Sequence, residues 1–239
     1  MTCQTILEQM KSRSSEQYRK NVIRMGIPES CSIGVSTATI RELAKKIEKS
    51  NDLAWELWNT GYHEAKLLAV LLFDKKTVSL DDIERMMADT ASWDLCDHLC
   101  KNLIIKMNEY YQFIDKWVTS SHTYKKRAAF TLIASSAIHD KKITDDTLDK
   151  YLQMIFDFSQ NDHEHIKKAV SWALREIGKR DFEYCEKSLI LAYELKQSGN
   201  KVQVWIANNA IKELSSLVKV EGRTRLISSN SQMGKEAEK

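Results

Sequence analysis

One proline, Pro28, and seven glycines serve 239 residues. A sheet protein reverses its chain often and leans on these two residue types to do so, and their scarcity argues against a β architecture. No apolar run approaches the roughly 20 residues that a membrane-spanning helix needs. The opening Met1-Thr2-Cys3-Gln4 lacks the basic stretch and apolar core of a secretory signal, and a cytoplasmic location is expected. Five cysteines (Cys3, Cys31, Cys96, Cys100 and Cys185) are odd in number and follow no framework spacing. They read as reduced packing thiols. Also missing are a glycine-rich phosphate loop, a glycine–serine nucleophile elbow and the histidine pair of zinc proteases. No metal or nucleotide cofactor is expected.

What is present is ordinary for a globule: 43% apolar residues, 29% charged residues and a net charge of +3. That balance excludes wholesale disorder. It is compatible with nucleic acid as a partner but does not establish one, because a local basic patch matters more than a total. From about residue 36 the apolar positions recur at three- and four-residue spacing. Ile40, Leu43, Ala44 and Ile47 make one helical face, Leu67, Leu68, Leu71 and Leu72 another, and Leu99, Leu103, Ile104 and Met107 a third. Ser79-Leu80-Asp81-Asp82 reads as a capping box. No stretch alternates with the period of a strand, and an all-α fold is expected.

The helices also repeat. Lys66–Leu72, Arg127–Ile133 and Lys168–Leu174 resemble one another, and Trp205–Ile211 is a weaker fourth copy, at successive offsets of 61, 41 and 37 residues. The last two match the ~40-residue period of helical-pair solenoids, and the first leaves room for another helix around Trp93. Stacked pairs curve, so a solenoid with a concave, basic groove is expected. Residues 1–25 read as a capping helix pair and Gly26 to Gly34 as a loop. A single domain is expected over 1–220, followed by a polar, disordered tail over 221–239.

Candidate chemistry starts with Ala91-Ser92-Trp93-Asp94-Leu95-Cys96-Asp97. Positions i and i+4 share a helical face, so Trp93 and Asp97 project together. The plain reading makes Trp93 a core anchor, with Asp94 and Asp97 favoured in the first turn of a helix capped by Ser92. The functional reading places Asp97 one turn above an indole exposed in a groove. Lys125, Lys126 and Arg127 lie in a window, His122 to Ser136, that holds no acidic residue. Three cations at a helix start oppose its dipole, whereas the free N–H groups there attract an anion. Lys167 and Lys168 form a second cluster, and Lys179 and Arg180 a third. Together they would line successive repeats with charge, as phosphates spaced along a nucleic acid require; solvated helix starts are the plain alternative. Trp172 and Arg175 share a helical side, with core and ion-pair roles as their alternatives. Trp55, Trp58, Trp117 and Trp205 sit inside apolar patterns and read as packing residues. Cys96, His98 and Cys100 make no metal site, because a helix turns His98 away from the two thiols and no second pair stands at zinc spacing.

In order along the chain, the segments Ile33-Gly34-Val35, Ile40-Arg41-Glu42-Leu43, Leu57-Trp58 with Glu64-Ala65-Lys66, Ser92–Asp97, Lys126–Ala129 and Ile166–Glu176 resemble the AlkD-like DNA alkylation repair family. These are bacterial DNA glycosylases built of HEAT-like repeats, and the likeness runs from about Gly34 to Leu217. The resemblance implies a HEAT-like all-α solenoid. It implies Trp93 and Trp172 as walls of a cleft, Asp97 as the catalytic carboxylate and Arg127 as a phosphate contact. Lys125, Lys126, Lys167, Lys168 and Arg175 join Arg127 as expected DNA-binding residues. The implied activity is hydrolysis of the N-glycosidic bond of cationic alkylated purines, such as 3-methyladenine and 7-methylguanine, in duplex DNA without full base flipping. A bacterial, monomeric, nucleoid-associated protein with no membrane partner is expected. The alternatives are a non-catalytic HEAT-like protein recognising damaged or branched DNA, and a scaffold that binds another protein.

Overall fold

Helix starts are written locally in this chain. Thr2, Ser36, Ser50, Ser79, Ser92, Thr144, Asp181 and Asn200 each turn a side-chain oxygen onto a backbone N–H of the helix that follows. They satisfy donors that a helix otherwise leaves unpartnered. At Ser79 the expected box closes in both directions, the Ser79 N–H donating to Asp82 at 3.0 Å.

The computed structural model describes residues 1–237. The helices are α1 (Cys3–Lys11), α2 (Glu16–Arg24), α3 (Thr37–Lys45), α4 (Asn51–Asn59), α5 (His63–Leu72), α6 (Leu80–Ala88), α7 (Trp93–Asn102), α8 (Tyr110–Trp117), α9 (Thr123–His139), α10 (Asp145–Phe158), α11 (Glu164–Gly178), α12 (Phe182–Gln197), α13 (Lys201–Leu214) and α14 (Gln232–Ala237). Strands β1 (Leu217–Val218) and β2 (Ile227–Ser228) pair antiparallel, with Leu217 opposite Ser228. The all-α expectation holds. The four repeat copies fall in α5, α9, α11 and α13, and α7 occupies the long first interval.

The chain divides into two compact units, Met1–Tyr110 and Tyr111–Lys239, where composition marked no boundary. In the first, α5 packs against α3, α4 and α7 and buries eight of its ten residues. One of the eight is Glu64, 1% exposed. Its carboxylate accepts from the N–H groups of Ile33 (2.9 Å) and Gly34 (2.6 Å) and from the Ser32 hydroxyl (3.3 Å), so the loop before α3 is moulded onto α5. Gly34 must be glycine there. Its φ is +87°, and a Cβ would stand 2.8 Å from the Ser15 carbonyl oxygen.

In the second unit α9 is buried continuously from Arg127 to Ala137, and the hydroxyls of its buried Ser135 and Ser136 donate to the Thr131 and Ile133 carbonyls of the same helix. α11 packs on α9, α10, α12 and α13. The segment beyond Glu221, expected as a loose tail, instead folds back on this unit. Leu226 is 2% exposed and its N–H donates to the Lys179 carbonyl at 2.9 Å. Arg225 donates to the Ala137 carbonyl, to the Glu176 carbonyl (2.8 Å) and to the Glu176 carboxylate (2.7 Å). Average composition hid these two anchors among polar neighbours. Of that expected tail, residues 238 and 239 lie outside the described residues.

Candidate active site

α7 is pinned to α5 by two contacts one helical turn apart. Asp94 meets His63 Nε2 at 2.8 Å, and His98 Nε2 meets the Leu67 carbonyl oxygen at 3.0 Å. A carbonyl only accepts, so His98 carries its proton on Nε2. Burial, and then the charge of Arg41, push its pKa down to about 4, and the ring is neutral at physiological pH. Burial alone would raise the Asp94 carboxyl, but the hydrogen bond and charge of His63, with help from Ser92 and Leu95, outweigh it and hold the group below its ordinary range.

Each helical residue is turned about 100° from the next. With 94 and 98 bonded to α5, their predecessors 93 and 97 stand together one step around the helix, at the edge of a cleft that all four line. There Trp93, Asp97, Asp94, His98, Lys101 and Asn102 of α7 meet Thr37 and Arg41 of α3 and Leu67 of α5 around a volume of about 270 Å³. Trp93 is 39% exposed, which rules out the core-anchor reading of this indole. Asp97 is half-buried beside it. Sequence reasoning missed Arg41 and Lys101 as lining residues, and also the two pins to α5. The matched spacings 63/67 and 94/98 were the available signal.

The remaining candidates belong to the second unit. Trp172 is half-buried on α11, its indole N–H donating to Glu176 at 3.1 Å. Arg127 is largely buried, and it donates from α9 to the His165 carbonyl at the start of α11 at 2.6 Å. Lys126 stands over the Phe158 ring, 5.4 Å from its centroid, and Lys125 is half-buried in the first turn of α9. Lys167 and Lys168 both pair with Glu164, at 2.6 and 2.9 Å, and their hydrogen bonds pull the Glu164 carboxyl down to about 2. Arg175 pairs with Glu213, which also holds Lys179. The expected basic stripe therefore carries much of its own counter-charge. Trp58 and Trp117 are 3% and 1% exposed, the core residues their patterns implied; Trp55 and Trp205 are half-buried. Cys96 and Cys100 are buried in α7. Among the described residues no three His, Cys, Asp or Glu side chains form a group able to hold a metal ion, and no helix is long and apolar enough to cross a membrane.

A family model for the DNA alkylation repair enzymes matches residues 6–214. The chain belongs to that family. A solved structure from a family of proteins related to the HEAT-like repeat DNA glycosylases, with affinity for branched DNA structures, superposes on this DNA alkylation repair protein with a TM-score of 0.75. It covers 100% of this chain and 94% of the other at 21% identity. The fold is thus the HEAT-like repeat fold of the DNA glycosylases. No curated protein matches the chain.

Proposed function

We propose that this DNA alkylation repair protein is a monofunctional glycosylase that hydrolyses the N-glycosidic bond of cationic alkylated purines in duplex DNA. The observation that carries the reading is Asp97 beside the exposed Trp93 indole on one cleft. An alkylated purine already bears positive charge and departs without a general acid. The difficulty left is charge developing on the deoxyribose. A fixed carboxylate stabilises that charge electrostatically, and an indole face does so by cation–π attraction. Asp97 is also suited to orient the attacking water, as carboxylates do in sugar hydrolysis. In this reading the Trp172 indole of the second unit also engages the DNA, and Lys125, Lys126, Arg127, Lys167, Lys168 and Arg175 contact phosphates. The ion pairs now made by Lys167 and Lys168 are solvent-accessible and weak in water, so phosphate can displace them.

The test is release of methylated purine from methylated duplex DNA by the purified protein and by Asp97→Asn. The amide keeps the shape and removes the charge, and loss of such an interaction costs on the order of 10²–10³ in rate. DNA affinity should stay nearly unchanged. A variant releasing base within a factor of two or three of wild type rejects Asp97 as catalytic. Binding without any release by the wild type turns the protein into a damage-recognition module.

A further inference from the structure

The helices α3, α5 and α7 pack side by side, and beyond each C-terminal end stands a lysine: Lys49, Lys75 and Lys106. All three are exposed, as is Arg41 on α3. We infer that Arg41, Lys49, Lys75 and Lys106 form a phosphate-binding track on the first unit, leading from the Trp93–Asp97 cleft across the ends of these helices, and that it takes the sugar–phosphate backbone of duplex DNA. The inference rests on the proposed function for the identity of its polyanion.

Three observations carry it. None of the four cations makes an ion pair with any described residue, although lysines elsewhere on the surface do, as Lys150 with Asp115 and Lys187 with Asp149. The four are also drawn together. Lys49 donates to the Phe73 carbonyl at 3.0 Å, which holds its ammonium beside the stretch that carries Lys75. Burial and then the charges of Lys49, Lys75 and Arg41 hold the Lys106 ammonium below its ordinary pKa. Finally, Arg41 lines the cleft itself, with Trp93, Asp97 and Lys101. A helix C-terminus favours a cation through its dipole, and that accounts for each lysine taken singly. It does not account for Lys49, Lys75 and Lys106 gathered with no ion pair to any described residue, an arrangement that raises the energy of the isolated protein. An external anion removes that cost, and the extended array suits phosphates in a row better than one small ion.

The experiment is binding of full-length protein to undamaged and methylated duplex DNA by fluorescence anisotropy across a salt series. Wild type is compared with Lys49→Gln/Lys75→Gln/Lys106→Gln and with Arg41→Gln. Each lost phosphate contact should reduce the slope of log K against log salt by about 0.9. The triple variant is expected to lose between two and three units, and Arg41→Gln about one, equally on both DNAs. A triple variant with a wild-type slope overturns the track, and so does a wild type whose DNA binding ignores salt. Should the triple variant melt early, Lys75→Gln and Lys106→Gln singly must each lower the slope by about one unit. Wild-type base release separates the two readings. Release together with an unchanged slope in the variant rejects the track alone, whereas a reduced slope without release keeps the track and rejects the glycosylase assignment.

Discussion

Trp58 and Trp93 differ by environment alone, and the difference is measurable. Trp58 is 3% exposed, and its indole N–H donates to Asp89 at 2.8 Å. Truncating it leaves a cavity and strips Asp89 of a donor. Trp58→Ala should cost about 3–5 kcal/mol. Trp93, already 39% exposed, surrenders far less apolar burial. Trp93→Ala should melt near wild type and excise slowly, and Trp172→Ala should fall between the two in stability with excision also impaired. Thermal melts beside single-turnover release decide it: a Trp93→Ala melt as low as that of Trp58→Ala removes the cleft reading. Trp93 and Asp97 were legible in the sequence because an i,i+4 pair needs only a helix to bring it together. Arg41 was not. It reaches the same cleft from another helix, through the packing of α3 and α7 on α5, and no local spacing reports that.

The helices were legible as elements for a similarly local reason: periodicity marks their faces and small polar residues mark their starts. The end of the chain was misread because two side chains outweigh its average. Arg225 joins the last turn of α9 to Glu176 on α11, and Glu176 in turn accepts the Trp172 indole N–H. Glu176 is 12% exposed at its side chain, and removing the guanidinium leaves its carboxylate with Lys179 as its remaining cation partner. Arg225→Ala should therefore destabilise by about 2–3 kcal/mol. Base release should fall along with it if Trp172 engages the DNA, and Arg225→Lys should recover part of both. A melt within experimental error of wild type would mean that this terminal segment is not docked in solution.

For the whole molecule, His98 sets a stability limit on the acid side. In the unfolded chain it takes a proton near 6.5, and in the folded protein only at about 4. Between those values the unfolded state binds more protons, so the contribution is complete above about pH 6.5 and drains away as pH falls toward 4. From pH 7 to 5 this one group should remove about 2 kcal/mol. Urea melts at the two pH values should show the loss in wild type and a flatter dependence in His98→Gln. Equal slopes in the two proteins would assign the acid sensitivity elsewhere. The bonds of Arg225 carry a last, kinetic consequence. The main helix contacts here join helices one or two places apart in the chain, a low contact order that favours rapid folding. The bond from Arg225 to Ala137 spans 88 residues and that to Glu176 spans 49. Loop closures of that length are expected to be made late, after the helices they join have docked. Breaking them should leave the folding rate of the chain almost untouched and appear nearly whole in faster unfolding, so the terminal segment acts as a latch on the native state.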